Sequence, residues 1–355
     1  MDRREDKRFT ILDIPYKEAT GACYARNLIQ QQYNNETYTL QLDSHHRFVD
    51  GWDTISIEML KDLQDKGYKK PLLTSYIPSY QPDNDPDGRV KTPWGMSFDR
   101  FTPEGVIFFL PYYMEKNLNP IPARYFSAHF AFTLGQHAIE VQHDPEYYFH
   151  GEEISLAVRS YTHGYDLFHP NKVIAFHEYT RAGRTKQWDD DPKWGDRNVA
   201  CHKKMRSLLG VDGENEIKEE KYGLGKHRTI QDYEIYAGIK FADRSITDRA
   251  KQNKVPPGGP SEEYFGHFRH PFDMQPSQFP ERDYTFCAII FEDKLGNLIH
   301  REDMTGTELN RHLETNTTGQ PFTVWRSYQG RKPDQIVIWP HSESKGWGEK
   351  RIIKL

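Results

Sequence analysis

The sequence predicts an α/β protein, with a mixed sheet flanked by helices and a small β-rich module at the C-terminal end. Three observations carry this. Strand-like and helix-like patterns alternate through the first 250 residues. A stretch rich in proline and glycine over 251–283 interrupts them. From Tyr284 onward, YTFCAIIFED, FTVWRSY and QIVIWPH are apolar runs separated by turn signals. The expected organisation is therefore an α/β domain over 1–250, a linker over 251–283 and a β module over 284–355.

FTILDI (9–14) reads as a strand, Glu18 to Tyr33 as a helix and Tyr38 to Leu42 as a second strand, which together make a βαβ unit. Asp53 to Lys66 has the apolar spacing of a helix, and PLLTSY (71–76) that of a strand, followed by the surface loop YQPDNDPDGR. Val106 to Leu110 and Ala128 to Thr133 are short strands, Glu152 to Tyr161 a helix, and Val173 to Phe176 a strand ending at His177. The polar run from Thr180 to Lys221 predicts a mobile loop or exposed helices.

Composition narrows the class. With 36% hydrophobic, 14% aromatic and 28% charged residues in 355, the chain has enough buryable area for a globular core. A net charge of -5 provides no global basic field for nucleic acid or anionic membrane. Three cysteines, Cys23, Cys201 and Cys287, are odd in number and far apart, so neither a disulfide framework nor a cysteine zinc motif is indicated. The charged start MDRREDKRF lacks the apolar core of a signal peptide, and no apolar run reaches the roughly 18 residues of a membrane helix. A cytoplasmic protein with no membrane partner is expected.

Chemistry concentrates at strand ends. Asp43 and His45, in LQLDSHHRF, would share a face if the strand continued, and together could hold one cation. The alternative is a polar turn with a solvated histidine. His177, ending VIAF, supplies a third ligand of the right type, and Asp, His and His leave coordination positions open, as a catalytic metal site requires. In FHGEEISLAVRSYTHGYD, Glu152 and Glu153 open a helix. They either complement its dipole or accept hydrogen bonds from sugar hydroxyls, with Gly151 allowing a ligand close approach. Arg159 falls on the same helix face as Glu152 and reads as its structural partner.

The segments EATGACYARNLIQQQYNNETYTLQLDSHHRFVDGWD, PLLTSYIPSYQP, ARYFSAHFAF, FHGEEISLAVRSYTHGYDLFHP, FHEYTR and YGLGKHRTIQDYEIYAGI resemble, in order over about residues 9–245, the GlcNAc-transferases typified by the cytoplasmic enzyme that modifies hydroxyproline. That family is similar in turn to the polypeptide GalNAc-transferases. The resemblance implies a GT-A fold and a retaining, metal-dependent transfer of a sugar, GlcNAc, from a UDP-sugar donor. The acceptor would be a hydroxyl, on a protein ahead of a hydroxylated DNA base. Carried over by motif, Asp43, His45 and His177 match the ligands of Mn2+ or another divalent cation. Glu152 matches the glutamate facing the donor sugar, with Glu153 its catalytic neighbour, and Arg26 and Arg181 match positions near the diphosphate. One departure stands out: the βαβ unit that normally precedes the DSH motif, and forms much of the nucleotide pocket, is not seen ahead of residue 43. Either the chain is truncated, or another part of the chain or a second chain completes that pocket, or nucleotide binding is weakened or altered.

Two rivals remain at this point. A non-haem Fe(II) oxygenase uses the same residue types, with Arg181 as a co-substrate clamp, although its jelly roll would be all β. A carbohydrate- or acceptor-binding protein with a degenerate transferase fold would keep the residues without the reaction. In the tail, Trp325, Trp339 and Trp347 with Arg326, Arg331 and Lys332 form either an acceptor surface or, for the tryptophans, module core.

Overall fold

The computed structural model describes residues 6–180, 185–214, 221–257, 263–316 and 318–355. The chain divides into two compact units, Met1–Ala242 with Arg249–Glu262, and Asp243–Asp248 with Glu263–Leu355.

In chain order, the first unit contains α1 (Ala22–Gln30), β1 (Tyr38–Leu42), β2 (His46–Phe48), α2 (Trp52–Asp65), β3 (Pro71–Thr74), β4 (Trp94–Phe101), β5 (Ile107–Tyr113), β6 (Ile121–Pro122), β7 (Phe130–Leu134), α3 (His137–Glu140), α4 (Glu152–Thr162), β8 (Asp166–His169), β9 (Ala175–His177), α5 (Gln187–Asp190), α6 (Trp194–Leu209), α7 (Ile230–Ala237) and β10 (Ile239–Lys240). Its main sheet runs β1-β7-β3-β8-β6. β7 is antiparallel to both β1 and β3, and β3 is parallel to β8. This is the mixed sheet with helices that the alternating patterns predict. The apolar stripe of α2, with Met59, Leu60 and Leu63, packs with Leu73 of β3, Phe130 and Phe132 of β7 and Phe168 of β8. Burying each such side chain stabilises the fold by about 1.5–3 kcal/mol.

The predicted first strand does not form. Residues 9–14 are irregular, and Phe9, Ile11 and Leu12 are exposed. A strand forms only where a neighbour completes its hydrogen-bond ladder. β1, the other half of the expected βαβ unit, pairs instead with β7, Tyr38 opposite Leu134 through Leu42 opposite Phe130. The expected helix from Glu18 begins only at Ala22, because Gly21 sits at φ 135°. A Cβ there would lie 2.6 Å from the Tyr148 carbonyl oxygen. The polar run after Thr180 contains the sixteen-residue helix α6; residues 181–184 and 215–220 lie outside the described residues.

The second unit contains β11 (Ser245–Thr247), β12 (Tyr264–Met274), β13 (Tyr284–Glu292), β14 (Leu298–Arg301), β15 (Met304–Thr305), α9 (Gly306–Thr315), β16 (Phe322–Gly330), β17 (Gln335–Ser342), β18 (Gly346–Trp347) and β19 (Arg351–Lys354); the one-turn α8 (Asp248–Lys251) belongs to the first unit apart from Asp248. The linker expected over 251–283 is corrected here. β12 lies inside it and pairs with β16 over nine residue pairs, Gly266 opposite Gly330 to Met274 opposite Phe322. Alternation across Phe268, Phe272 and Met274 drives one face of β12 into the core, although Pro271 suggests a break. The tryptophans are not that core, which is built from Phe, Tyr, Ile, Leu, Val, Met and Cys side chains. Trp325 is 49% and Trp347 44% exposed; Arg269 lies over Trp325, and Trp339 packs on Trp347. Arg326 is buried, beside Glu302 and Glu308.

Candidate functional site

The site grows from the turn between β1 and β2. Asp43, Ser44 and His45 occupy that turn rather than a continuing strand. The His46 ring closes it, Nδ1 lying 2.9 Å from the Asp43 carbonyl oxygen and donating to it. β2 pairs antiparallel with β9, placing His46 directly opposite His177. A residue far along the chain is thereby delivered to the turn. Ligand atoms of Asp43, His45 and His177 all lie within 4.8 Å of one another. The rings of His45 and His177 are 4.4 Å apart, and His177 Nε2 is 3.8 Å from Asp43 Oδ2.

Both ring nitrogens of His177 are buried without a hydrogen-bond partner. A lone pair held this way normally costs free energy unless an electrophile shares it. One carboxylate oxygen and two imidazole nitrogens are a suitable donor set for a divalent cation such as Mn2+. The residues present thus fit the group that the motif implies.

Arg26, from α1, stands behind the turn. Its Nη2 donates to Asp43 Oδ1 at 2.8 Å, and its Nη1 lies 3.0 Å from both oxygens of Glu152. Burial alone would raise the Asp43 pKa, but the His177 ring and the Arg26 guanidinium hold it well below the usual carboxylate range. Its anionic state is therefore fixed at neutral pH.

Glu152 and Glu153 open α4, and their environments differ. Glu152 is buried, and its carboxylate accepts from Cys23 Sγ at 2.5 Å as well as from Arg26. Glu153 accepts from the Ala128 N–H at 2.9 Å and from the Tyr76 hydroxyl at 3.3 Å. Burial and the nearby Glu152 charge outweigh those donors and push its pKa up to about 7. Gly151 serves the turn into α4 at φ 95°, and what approaches it closely is Met205 of α6, 3.2 Å from where a Cβ would stand. Arg159 is not the partner of Glu152: its guanidinium donates to the backbone carbonyls of Gln142 and Gly223.

These groups open on one cleft of ≈ 780 Å³ in the first unit, lined by Arg26, Asp43, His45, His177 and both glutamates, with aromatic walls from Trp94, Phe149, Tyr179 and Trp188. Arg181 lies outside the described residues. Sequence reasoning missed His129, whose ring stacks 4.5 Å from His177 and whose Nε2 accepts the Ile77 N–H at 3.1 Å. Burial and the neighbouring His177 hold His129 neutral, its pKa well below the ordinary value. Its one signal was a histidine in the aromatic-rich run ARYFSAHFAF. Tyr76, Cys23 and His143 carried none.

An all-β jelly roll does not house these residues: α1, the β1–β2 turn, α4 and β9 do. The oxygenase fold is thereby set aside. A mixed α/β unit with acid, imidazole and guanidinium groups at strand and helix ends, all facing one large cleft, is a small-molecule site of the α/β class. The glycosyltransferase (GlcNAc) family matches residues 2–243, and the chain belongs to that family. No curated protein matches the chain. Among solved structures, that of GalNAc-T7 with UDP, GalNAc and Mn2+ is similar at 11% identity and a TM-score of 0.41, over 95% of this chain and 59% of that one. Among the described residues, no helix is long and apolar enough to cross a membrane.

Proposed function

We propose that the chain is a retaining GT-A glycosyltransferase that moves GlcNAc from a UDP-sugar to a hydroxyl acceptor, with Asp43, His45 and His177 holding a divalent cation. The observation that carries this reading is the convergence of those three ligands within 4.8 Å at the edge of the ≈ 780 Å³ cleft. When bound, the cation supplies the positive charge that makes a nucleoside diphosphate a competent leaving group.

The protein's own groups do the rest. Asp43 stays anionic because Arg26 holds it. Glu152, which the motif assigns to the donor sugar, is engaged by Cys23 and Arg26, so its neighbour Glu153, on the cleft wall, takes the sugar hydroxyls in its place. Trp94, Trp188 and Tyr179 shape an apolar wall that excludes water around the anomeric carbon. The acceptor oxygen bonds to that carbon on the face from which the phosphate oxygen departs, and the acceptor proton passes to that phosphate oxygen. Retention then needs no protein nucleophile. Arg181 is assigned to the diphosphate on its motif alone, a protein acceptor and a second chain that completes the uridine side of the pocket rest on the family resemblance, and a cytoplasmic setting rests on the cysteine usage.

The test is a UDP-sugar panel with Mn2+, comparing wild type with Asp43→Asn. UDP release from UDP-GlcNAc that falls at least a hundredfold in the variant supports the reading. Equal rates in both proteins remove the cation assignment. Saturable UDP-GlcNAc and Mn2+ binding without turnover moves the chain to a binding role.

A further inference from the structure

Beneath the proposed cation site lies a second convergence of ligand-type side chains. Cys23 comes from the first turn of α1, His143 from the segment after α3, and Glu152 from the start of α4; all three are buried, at 1%, 2% and 6% exposure. One ligand atom from each lies within 4.8 Å of the others. Cys23 Sγ is 2.5 Å and His143 Nδ1 3.8 Å from the same Glu152 oxygen, Oε2.

The tautomer of His143 can be assigned from its neighbours. The Gln41 amide nitrogen donates to the Ala128 carbonyl, so the Gln41 oxygen must face His143. That oxygen lies 2.5 Å from His143 Nε2, which therefore carries the hydrogen. Nδ1 is left with a bare lone pair, buried and without a hydrogen-bond partner. It faces a carboxylate oxygen that is also an acceptor. Oε2 already accepts from Cys23 Sγ and Arg26 Nη1, whereas the Nδ1 lone pair has no donor, and an unpaired acceptor in a dry interior costs free energy unless something electrophilic shares it. An imidazolium does not answer this, since its Nδ1–H would fall short of Oε2 at 3.8 Å. Donation of the far ring N–H to a side-chain carbonyl, as His143 does to Gln41, is how metal-ligating histidines are usually oriented.

A cavity of ≈ 10 Å³ adjoins the three groups, lined also by Asp144, Tyr147 and Arg159. That is room for one small occupant. We propose that Cys23, His143 and Glu152 form a structural site for a borderline-soft divalent cation, Zn2+, separate from the Asp43 site. Thiolate, imidazole and carboxylate are the ligand types that this ion takes, whereas Asp43, His45 and His177 include no sulfur. On binding, the Cys23 thiol gives up its proton to solvent, one proton per ion, and the thiolate, Nδ1 and Oε2 each share a lone pair with the metal. Arg26 Nη1, 3.0 Å from both Glu152 oxygens, gives up Oε2 to the ion and keeps Oε1, while Nη2 keeps Asp43. The buried ion would thus fix Glu152, which fixes Arg26, which fixes the turn bearing Asp43. This inference does not depend on sugar transfer.

The full chain, stripped of metal, is titrated with Co2+ as a spectroscopic stand-in for Zn2+, and Zn2+ stoichiometry is measured by competition with a chromogenic chelator. The expected result is a near-ultraviolet thiolate-to-cobalt charge-transfer band that saturates at one equivalent and is displaced by Zn2+. The band persists in Asp43→Asn and Cys201→Ser and is lost in Cys23→Ser and His143→Ala. Absence of the band in wild type, meaning that the cavity takes only water, overturns the proposal, as does a full band in Cys23→Ser. The wild-type titration decides the matter even if a variant fails to fold.

Discussion

Arg26 and Asp43 are joined by a 2.8 Å charge-assisted hydrogen bond from Nη2 to Oδ1, while the other end of the same guanidinium holds Glu152. One arginine on α1 therefore couples the turn after β1 to the start of α4. Removing it leaves two carboxylates without their shared counter-charge. Arg26→Ala is expected to lower unfolding stability by roughly 3 kcal/mol, read from urea or guanidinium midpoints. Arg26→Lys should recover less than half of that, because an ammonium cannot span both acceptors as the planar fork does. A loss below about 0.5 kcal/mol in Arg26→Ala would show that the bridge contributes nothing in solution.

Glu153 gives the fold a pH dependence of known sign. Burial pushes its carboxyl up from the ordinary value of about 4.5 to about 7. Below the unfolded value, the group is protonated in both states and costs nothing. Between the two values, the native state binds the proton that the unfolded chain has lost, so stability falls as pH rises, and the loss is complete above about 7. Glu153→Gln removes this slope. The stability difference between variant and wild type should shift by about 3 kcal/mol in favour of the variant between pH 4.5 and pH 8. Parallel stability curves would place the native pKa near that of a free glutamate.

Gly21 is required by its backbone. It sits at φ 135°, with the Tyr148 carbonyl oxygen 2.6 Å from where a Cβ would stand. Gly21→Ala must move backbone, since the obstacle is not a flexible side chain. A loss of roughly 2 kcal/mol in thermal or denaturant unfolding is expected. An unchanged midpoint would mean that α1 is entered by a different path.

The sequence was most legible where periodicity and burial agree. The α2 stripe of Met59, Leu60 and Leu63, strand β1 and the opening of α4 all lie where their patterns put them. Asp43, His45 and His177 come together as their spacing and strand-end placement suggested, although through a turn and a β2–β9 pair that no local pattern announced. Legibility failed where a partner decides the outcome. FTILDI has a strand composition but no neighbouring ladder, and β12 carries Pro271 in its interior yet finds nine partners in β16. The division of labour between Glu152 and Glu153 was also hidden. Adjacent and identical in type, they differ only in that Cys23 and Arg26 meet one, and Tyr76 and Ala128 the other.

The central claim is that Asp43, His45 and His177 hold one divalent cation, and the most direct measurement is Mn2+ binding followed by loss of the free-ion paramagnetic resonance signal. Wild-type protein should bind Mn2+ saturably, with UDP tightening the binding. Asp43→Asn and His177→Ala should each weaken it by at least tenfold, about 1.4 kcal/mol or more, while keeping a cooperative unfolding transition. Wild-type affinity in both variants would contradict the account.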